Sequence, residues 1–257
     1  MEGALDRALA LYPPELQAHH RADRRRIADQ LALVVPLVPS RADILDVCGG
    51  YAAFAPALAI AGHRVVLADS FITPSARAYP AADQPMFSKA GVTLLEVDAS
   101  STAFDPPAAA FDLVTCIDSI EHWHRSPKRA LHAMMAALRP GGAMVIGVPN
   151  CVNLRKRLTV PLGFGQWSAM ADWYEEPEFS GHVREPSVRD LVYMARDLAL
   201  IEPRVIGRNW SGYASPSRAT RLATTVGDRL LRLRPSLCSD LYLIGRKVGL
   251  GSPTAPG

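Results

Sequence analysis

The chain lacks most of the features that mark exported, membrane-spanning or nucleic-acid proteins. Its 257 residues include four cysteines, at positions 48, 116, 151 and 238, and no CxxC pair. That spacing excludes a zinc ribbon or a disulfide framework and suits a reduced, cytosolic protein. No apolar run reaches the roughly 18 residues of a membrane span. The opening MEGALDRALALYPPELQ places acids and prolines where a secretory signal needs a basic and then an apolar stretch. The charges nearly cancel, 28 Lys and Arg against 25 Asp and Glu, and a net +3 does not by itself imply nucleic acid. There is no internal repeat and no long low-complexity stretch. What remains is 49% hydrophobic and 21% charged, enough apolar material for a real core. One large α/β domain accommodates this length.

The pattern along the chain alternates. Residues 14–35 read as a helix, with HHRADRRR as a solvated face. ADILDV (42–47), HRVVLAD (63–69), VTLLEVD (92–98), FDLVTCI (111–117) and AMVIGVP (143–149) read as strands. An Ala-rich helix fills 52–61. A second helix opens at Ser126 and Pro127, buries Ala130, Leu131, Met134 and Leu138, and is stopped by RPGG (139–142). Strands separated by helices predict a parallel sheet covered on both faces. After residue 150 the rhythm changes, and 151–181 carries Trp167, Trp173, Tyr174 and Phe179 without a clear period. Ser187 and Asp190 form a capping box for a helix at 188–199 that buries Val188, Leu191, Val192, Ala195 and Leu198. Strands at 201–207 and 240–248 bracket a helical segment, 216–234.

In parallel sheets ligands bind beyond the carboxyl ends of the strands, so the strand ends carry the functional reading. The first ends Asp46-Val47-Cys48-Gly49-Gly50, a glycine turn that lets backbone approach a ligand closely. The second ends in Asp69, where a carboxylate can take both hydroxyls of a ribose. The third ends in Asp98, followed by the small residues Ala99 and Ser100. The fourth runs into Asp118-Ser119-Ile120-Glu121-His122. Each acid alone reads equally well as a cap or turn residue. Four at successive strand ends make one polar rim.

ILDVCGGYAAFAPALAIAGHRVVLAD resembles the first two motifs of class I S-adenosylmethionine-dependent methyltransferases. FDLVTCIDSIEHWHRSPKRALHAMMAALRPGGAMVIGVPN is similar to their fourth-to-fifth-strand segment, within the branch of the ubiquinone-biosynthesis O-methyltransferases (the type 11 methyltransferase-domain branch). The resemblance covers residues 40–150 and extends weakly through the last strand. It implies a Rossmann-like methyltransferase fold: a mostly parallel seven-stranded sheet flanked by helices, with an antiparallel last strand and a helical or loop cover. It implies S-adenosylmethionine as cofactor. Asp46, Cys48, Gly49 and Gly50 match the motif that supports its methionine end. Asp69, with Ser70 beside it, matches the acid that takes the ribose hydroxyls. Asp98 and Ala99 match the positions at the adenine, and Ile117 and Asp118 those near the transferring methyl. The family usually has glycine at Cys48 and at Ala52, and a side chain at Cys48 sits where backbone normally approaches the cofactor.

Transfer from a sulfonium rests largely on alignment and water exclusion, and an oxygen or nitrogen acceptor can also need a base. His182, in GHVREP, and His122 are the candidates, each with a structural alternative as a loop anchor or pocket lining. His124 completes an HxH that lacks a third metal ligand in pattern, so no metal is expected. Asn150, Trp173 and Tyr174 are candidates to line the acceptor pocket, with Trp167 in the same cover. Residues 203–247 hold nine Lys or Arg against two Asp. The helix there mixes apolar residues and arginine, which suits either a solvated helix packed on the sheet or peripheral contact with an anionic membrane.

These readings predict one methyltransferase domain over 1–250: N-terminal helices at 1–39, a cofactor-binding core at 40–150, a cover at 151–185 and a sheet edge at 186–250 with the basic helix inserted at 216–234. Residues 251–257 form a loose tail. The expected activity is methyl transfer to a small-molecule, glycan or lipid-linked acceptor at oxygen. The alternatives are a non-catalytic methyltransferase-like module and a nicotinamide-dependent dehydrogenase. The absence of GxGxxG weighs against the latter.

Overall fold

In the computed structural model, residues 1–71, 85–164, 168, 170–177 and 179–249 are described. Seven strands are β1 (Asp43–Val47), β2 (Arg64–Asp69), β3 (Val92–Glu96), β4 (Phe111–Ile117), β5 (Leu138–Pro149), β6 (Ile201–Arg208) and β7 (Asp240–Arg246). They form one sheet in the order β3-β2-β1-β4-β5-β7-β6. β1 runs parallel to β2 and β4, and β2 parallel to β3. β7 runs antiparallel to β5, because Gly141 meets Lys247 at one end and Asn150 meets Ser239 at the other. This is the mixed sheet of a Rossmann-like methyltransferase fold.

The chain divides into two compact units, each discontinuous in sequence. The first comprises the described residues of 1–117, 125–145 and 246–249. Its helices are α1 (Glu2–Leu9), α2 (Pro14–Ala22), α3 (Arg24–Val34), α4 (Phe54–Ile60), α5 (Pro85–Ala90) and α6 (Lys128–Ala137). Ile44, Leu45, Leu58, Leu67, Leu113 and Val114 have no measurable exposure. These near-continuous apolar runs suit strands covered on both faces. Asp112 accepts the N–H of Asp43 at 2.8 Å, and Arg139 pairs with both Asp43 and Asp112 at 2.8 Å. The second unit comprises 118–124 and 146–245. It holds α7 (Leu154–Thr159), α8 (Met170–Tyr174), α9 (Val188–Asp197), α10 (Trp210–Tyr213) and α11 (Arg218–Arg232). α9 starts at a capping box, with Ser187 and Asp190 each accepting from the other's backbone.

Four local expectations are corrected. The single helix over 14–35 is two helices, because Asp23, with ψ −4, ends α2 and starts α3. Its basic run is not wholly solvated: His20 is buried, its ring 4.0 Å from that of Tyr12. RPGG does not stand between helix and strand but lies inside β5, where Gly141 takes φ +80 and its N–H reaches the carbonyl of Lys247 at 3.1 Å. That left-handed position favours glycine. Val192, expected inward on α9, is exposed, while Leu191 and Ala195 carry the buried face.

Candidate functional site

In the first unit the strand ends build a cradle of backbone and carboxylates. Cys48 leaves β1 in the left-handed region, φ 56, and its N–H donates to the carbonyl of Ala68 at 2.7 Å. A Cβ at Gly49 would lie 2.1 Å from Oδ2 of Asp46, so a side chain there is excluded. Gly50 has φ +55, and a Cβ built on it meets nothing within 4 Å, so its backbone faces open space. Its N–H donates to Oδ2 of Asp69 at 2.9 Å, while Oδ1 of Asp69 accepts the N–H of Phe71 at 2.7 Å. Each carboxylate oxygen keeps a lone pair for a ligand hydroxyl.

Asp46 lies beneath this turn, 2% exposed. Burial raises its pKa to about 7, against the hydrogen bond it accepts from Thr115 Oγ1 at 2.6 Å and with a further push from Asp69. Asp46 therefore shapes the turn from below. Asp98 is exposed and accepts from both the N–H and the hydroxyl of Ser100, while Ala99 is buried. Ser70 and Ile117 are half-buried. Open backbone at Gly50, free lone pairs on Asp69 and a small buried Ala99 fit a nucleoside sulfonium. None of the four cysteines is in a disulfide.

The second unit gathers a different chemistry. Asp118 takes φ 53 and donates its N–H to Gly147 at 2.9 Å. A single 3-10 turn, Ile120–His122, follows. The carbonyl of Glu121 accepts the N–H groups of Val183 at 2.7 Å and Arg184 at 3.2 Å, which brings the loop holding His182 against this turn. The two rings meet edge to face, centroids 4.8 Å apart. His122 Nδ1 lies 3.0 Å from the carbonyl of Ser180, and His182 Nδ1 lies 2.8 Å from Oε1 of Glu185. Both partners are acceptors, so each Nδ1 stands as the donor in its contact. Burial, then the neighbouring His182, lowers the pKa of His122 although the residue keeps an exposed edge.

Glu121 is 1% exposed, and its Oε2 has no hydrogen-bond partner among the described residues. Burial first, and then the charge of Asp118, pushes its pKa up to about 8. Glu185 goes the other way. Burial raises its pKa, but hydrogen bonds from His182 and Lys156 outweigh that and leave it lowered. Lys156 and Glu185 form a buried ion pair. Glu121, Glu185 and Lys156 were not among the sequence candidates. Glu185 was legible as the third residue after His182, whereas Lys156 lies 29 residues from its partner and gives no local signal.

One acceptor-side expectation changes. Asn150 has no exposure and spends its amide on the carbonyls of Ser236 and Cys238 and its oxygen on the N–H of Val152, so it clasps backbone rather than a substrate. Trp173 and Tyr174 are 62% and 73% exposed on α8. Trp167 lies outside the described residues. His124 does not join His122. Its Nε2 lies 3.4 Å from the carbonyl of Phe179.

The apolar stripe of α11 points away from its own unit. Leu222, Val226, Leu230 and Leu233 are 67–77% exposed, while Thr224 and Asp228 are buried. Asp228 accepts from Asn209 at 2.8 Å and pairs with Arg232. The helix thus docks by polar groups and turns its apolar side outward. Leu158, Leu162 and Phe164, at the end of α7 and just beyond, are also more than 60% exposed. Among the described residues, no helix is long and apolar enough to cross a membrane.

Residues 18–198 match the family profile described as a methyltransferase domain. No match is found among curated proteins. Among solved structures, a SAM-dependent methyltransferase from Thermotoga maritima is similar, with a TM-score of 0.57 at 16% identity, over 91% of this chain and 94% of the other. A SAM-dependent methyltransferase from Archaeoglobus fulgidus gives 0.57 at 14%, over 90% and 98%. A 1,6-didemethyltoxoflavin-N1-methyltransferase from Burkholderia thailandensis, solved with S-adenosylhomocysteine, gives 0.53 at 18%, over 91% and 81%. At these identities the likeness concerns the fold.

Proposed function

Because the chain belongs to the methyltransferase-domain family and uses S-adenosylmethionine, we propose that it methylates a hydroxyl oxygen on a lipid-linked acceptor presented at an anionic membrane surface. When bound, the cofactor supplies a methyl carbon already activated by a sulfonium. The first unit handles it: Gly49 and Gly50 keep the turn after β1 bare, Asp69 offers lone pairs to the ribose hydroxyls, and Ala99 leaves room for the adenine. In the second unit, the imidazoles of His122 and His182 are the groups toward which the acceptor's hydroxyl proton leaves. Provision for a proton suits an oxygen acceptor.

The observation that carries the membrane part is the outward apolar stripe of α11. Leu222, Val226, Leu230 and Leu233 recur at i, i+4, i+8 and i+11, one stripe of a helix, flanked by Arg218, Arg221, Arg229 and Arg234. Each apolar side chain taken out of water contributes roughly 1.5–3 kcal/mol, and each arginine near an anionic surface about 1 kcal/mol. A helix with its apolar side in water and arginines at the margins fits the interface of such a membrane.

Co-sedimentation of the full chain with phosphatidylcholine vesicles, with and without phosphatidylglycerol, tests this. Binding is expected to the anionic vesicles at low salt, and to be lost in the Val226→Glu/Leu230→Glu double variant. Equal recovery with both vesicle types would sink the membrane reading and leave methyl transfer to be tested separately by cofactor binding.

A further inference from the structure

The turn after β4 and the loop before α9 bring together three groups with the chemistry of a metal site. Glu121, His122 and His182 each offer one donor atom, and all three atoms lie within 4.8 Å of one another. Tetrahedral ligation at about 2.0–2.2 Å sets donors about 3.4 Å apart, so small ring rotations close this set around an ion.

Three further features point the same way. Nδ1 of His122 faces the Ser180 carbonyl and Nδ1 of His182 faces the Glu185 carboxylate, so each ring turns its other nitrogen away from these partners. The arrangement Glu185···His182 is the carboxylate–imidazole pairing that orients metal-binding histidines and raises their basicity. Glu121 supplies the second, independent observation. A carboxylate oxygen buried without any hydrogen-bond donor is costly, and among the described residues Oε2 of Glu121, on a side chain 1% exposed, has none. A divalent cation satisfies that oxygen directly. The charges around Glu121 are acidic as well, with Asp118, Glu185 and Asp240 all acting on it. His122 keeps an exposed edge, which provides an entry path.

We propose that Glu121, His122 and His182 bind one divalent first-row transition cation of the zinc class. Two imidazole nitrogens and one carboxylate oxygen select such an ion over magnesium or calcium, which favour all-oxygen ligation. Three protein donors leave a fourth position for water or an oxygen of a bound ligand, the pattern of open rather than closed zinc sites. The HxH formed with His124 is not this site, because the third ligand comes from a loop sixty residues further along the chain.

The test is titration of chelator-treated, reduced, cofactor-free full-length protein with Co²⁺, followed by displacement with Zn²⁺. One equivalent of Co²⁺ is expected, with visible d–d bands and no thiolate-to-cobalt charge-transfer band. Glu121→Gln, His122→Ala and His182→Ala should each weaken binding at least tenfold, and His124→Ala should leave it unchanged. Glu121→Gln is isosteric and His122 is exposed, so two of the three variants keep the fold, which circular dichroism checks. Absence of binding, a thiolate band, or an affinity indifferent to these three variants overturns the proposal. Cofactor and acceptor are omitted, so failure here is distinguishable from failure of the methyl-transfer reading.

Discussion

The carboxylate of Asp69, at the end of β2, accepts the backbone N–H of Gly50, in the turn after β1, at 2.9 Å. One acid thus holds the glycine turn in place while keeping lone pairs for a ligand. Asp69→Ala should weaken S-adenosylhomocysteine binding by about 1–3 kcal/mol, the loss of a charge-assisted hydrogen-bond pair. Calorimetry on the wild type and the variant measures this. Equal affinities in a folded variant would remove the ribose assignment.

Cys48 sits at φ 56, where non-glycine residues are strained by roughly 1–2 kcal/mol. Its thiol pKa is pushed up by burial and then by the carboxylates of Asp69, Asp46 and Asp98. Cys48 should therefore react with iodoacetamide at pH 8 more slowly than a free thiol in a model peptide. Cys48→Gly should not lower stability in urea, because relief of the strain offsets the greater freedom of glycine in the unfolded chain. Fast alkylation of Cys48, mapped by mass spectrometry, would contradict the environment described.

The pH dependence of stability follows from Asp46 and Glu121, whose pKa values rise to about 7 and about 8 in the fold from ordinary values of 3.8 and 4.5. A raised acid holds its proton in the native state while the unfolded chain has already lost it. The two groups therefore draw stability down as pH rises from about 4 to about 8. Glu121→Gln keeps a neutral side chain at every pH. In metal-free buffer the variant should show a flatter profile of urea midpoint against pH than the wild type. Parallel profiles would refute this account of Glu121.

Lys156 and Glu185 form a pair whose side chains are 7% and 4% exposed. Removing one partner of a buried pair leaves the other uncompensated, at a cost of about 3–5 kcal/mol. Lys156→Met should lower the thermal midpoint sharply, and adding Glu185→Leu should recover part of the loss. A single variant as stable as the wild type would show that His182 alone compensates Glu185.

The sheet was legible because its strands are short apolar runs punctuated by turns, and burial on both faces leaves a continuous signature in β1, β4 and β5. The turn after β1 and the end of β2 were legible for the same reason: Asp46, Gly49, Gly50 and Asp69 lie at strand ends, and strand ends can be located from the pattern alone. Asn150 shows the limit. It too ends a strand, but the turn leading into β7 lies beside it and takes its amide on the carbonyls of Ser236 and Cys238, which only the pairing of distant strands reveals. The apolar stripe of α11 was readable as a period, yet its outward direction depends on Asn209 and Asp228 meeting on the polar side. Glu121, His122 and His182 converge because backbone hydrogen bonds from Val183 and Arg184 to Glu121 fold one loop onto one turn. Local propensity and hydrophobic period are properties of neighbours in sequence, and they determined the elements and where the strands end. Which side chains end up facing each other across sixty residues is set by packing, and that was decided only by the tertiary structure.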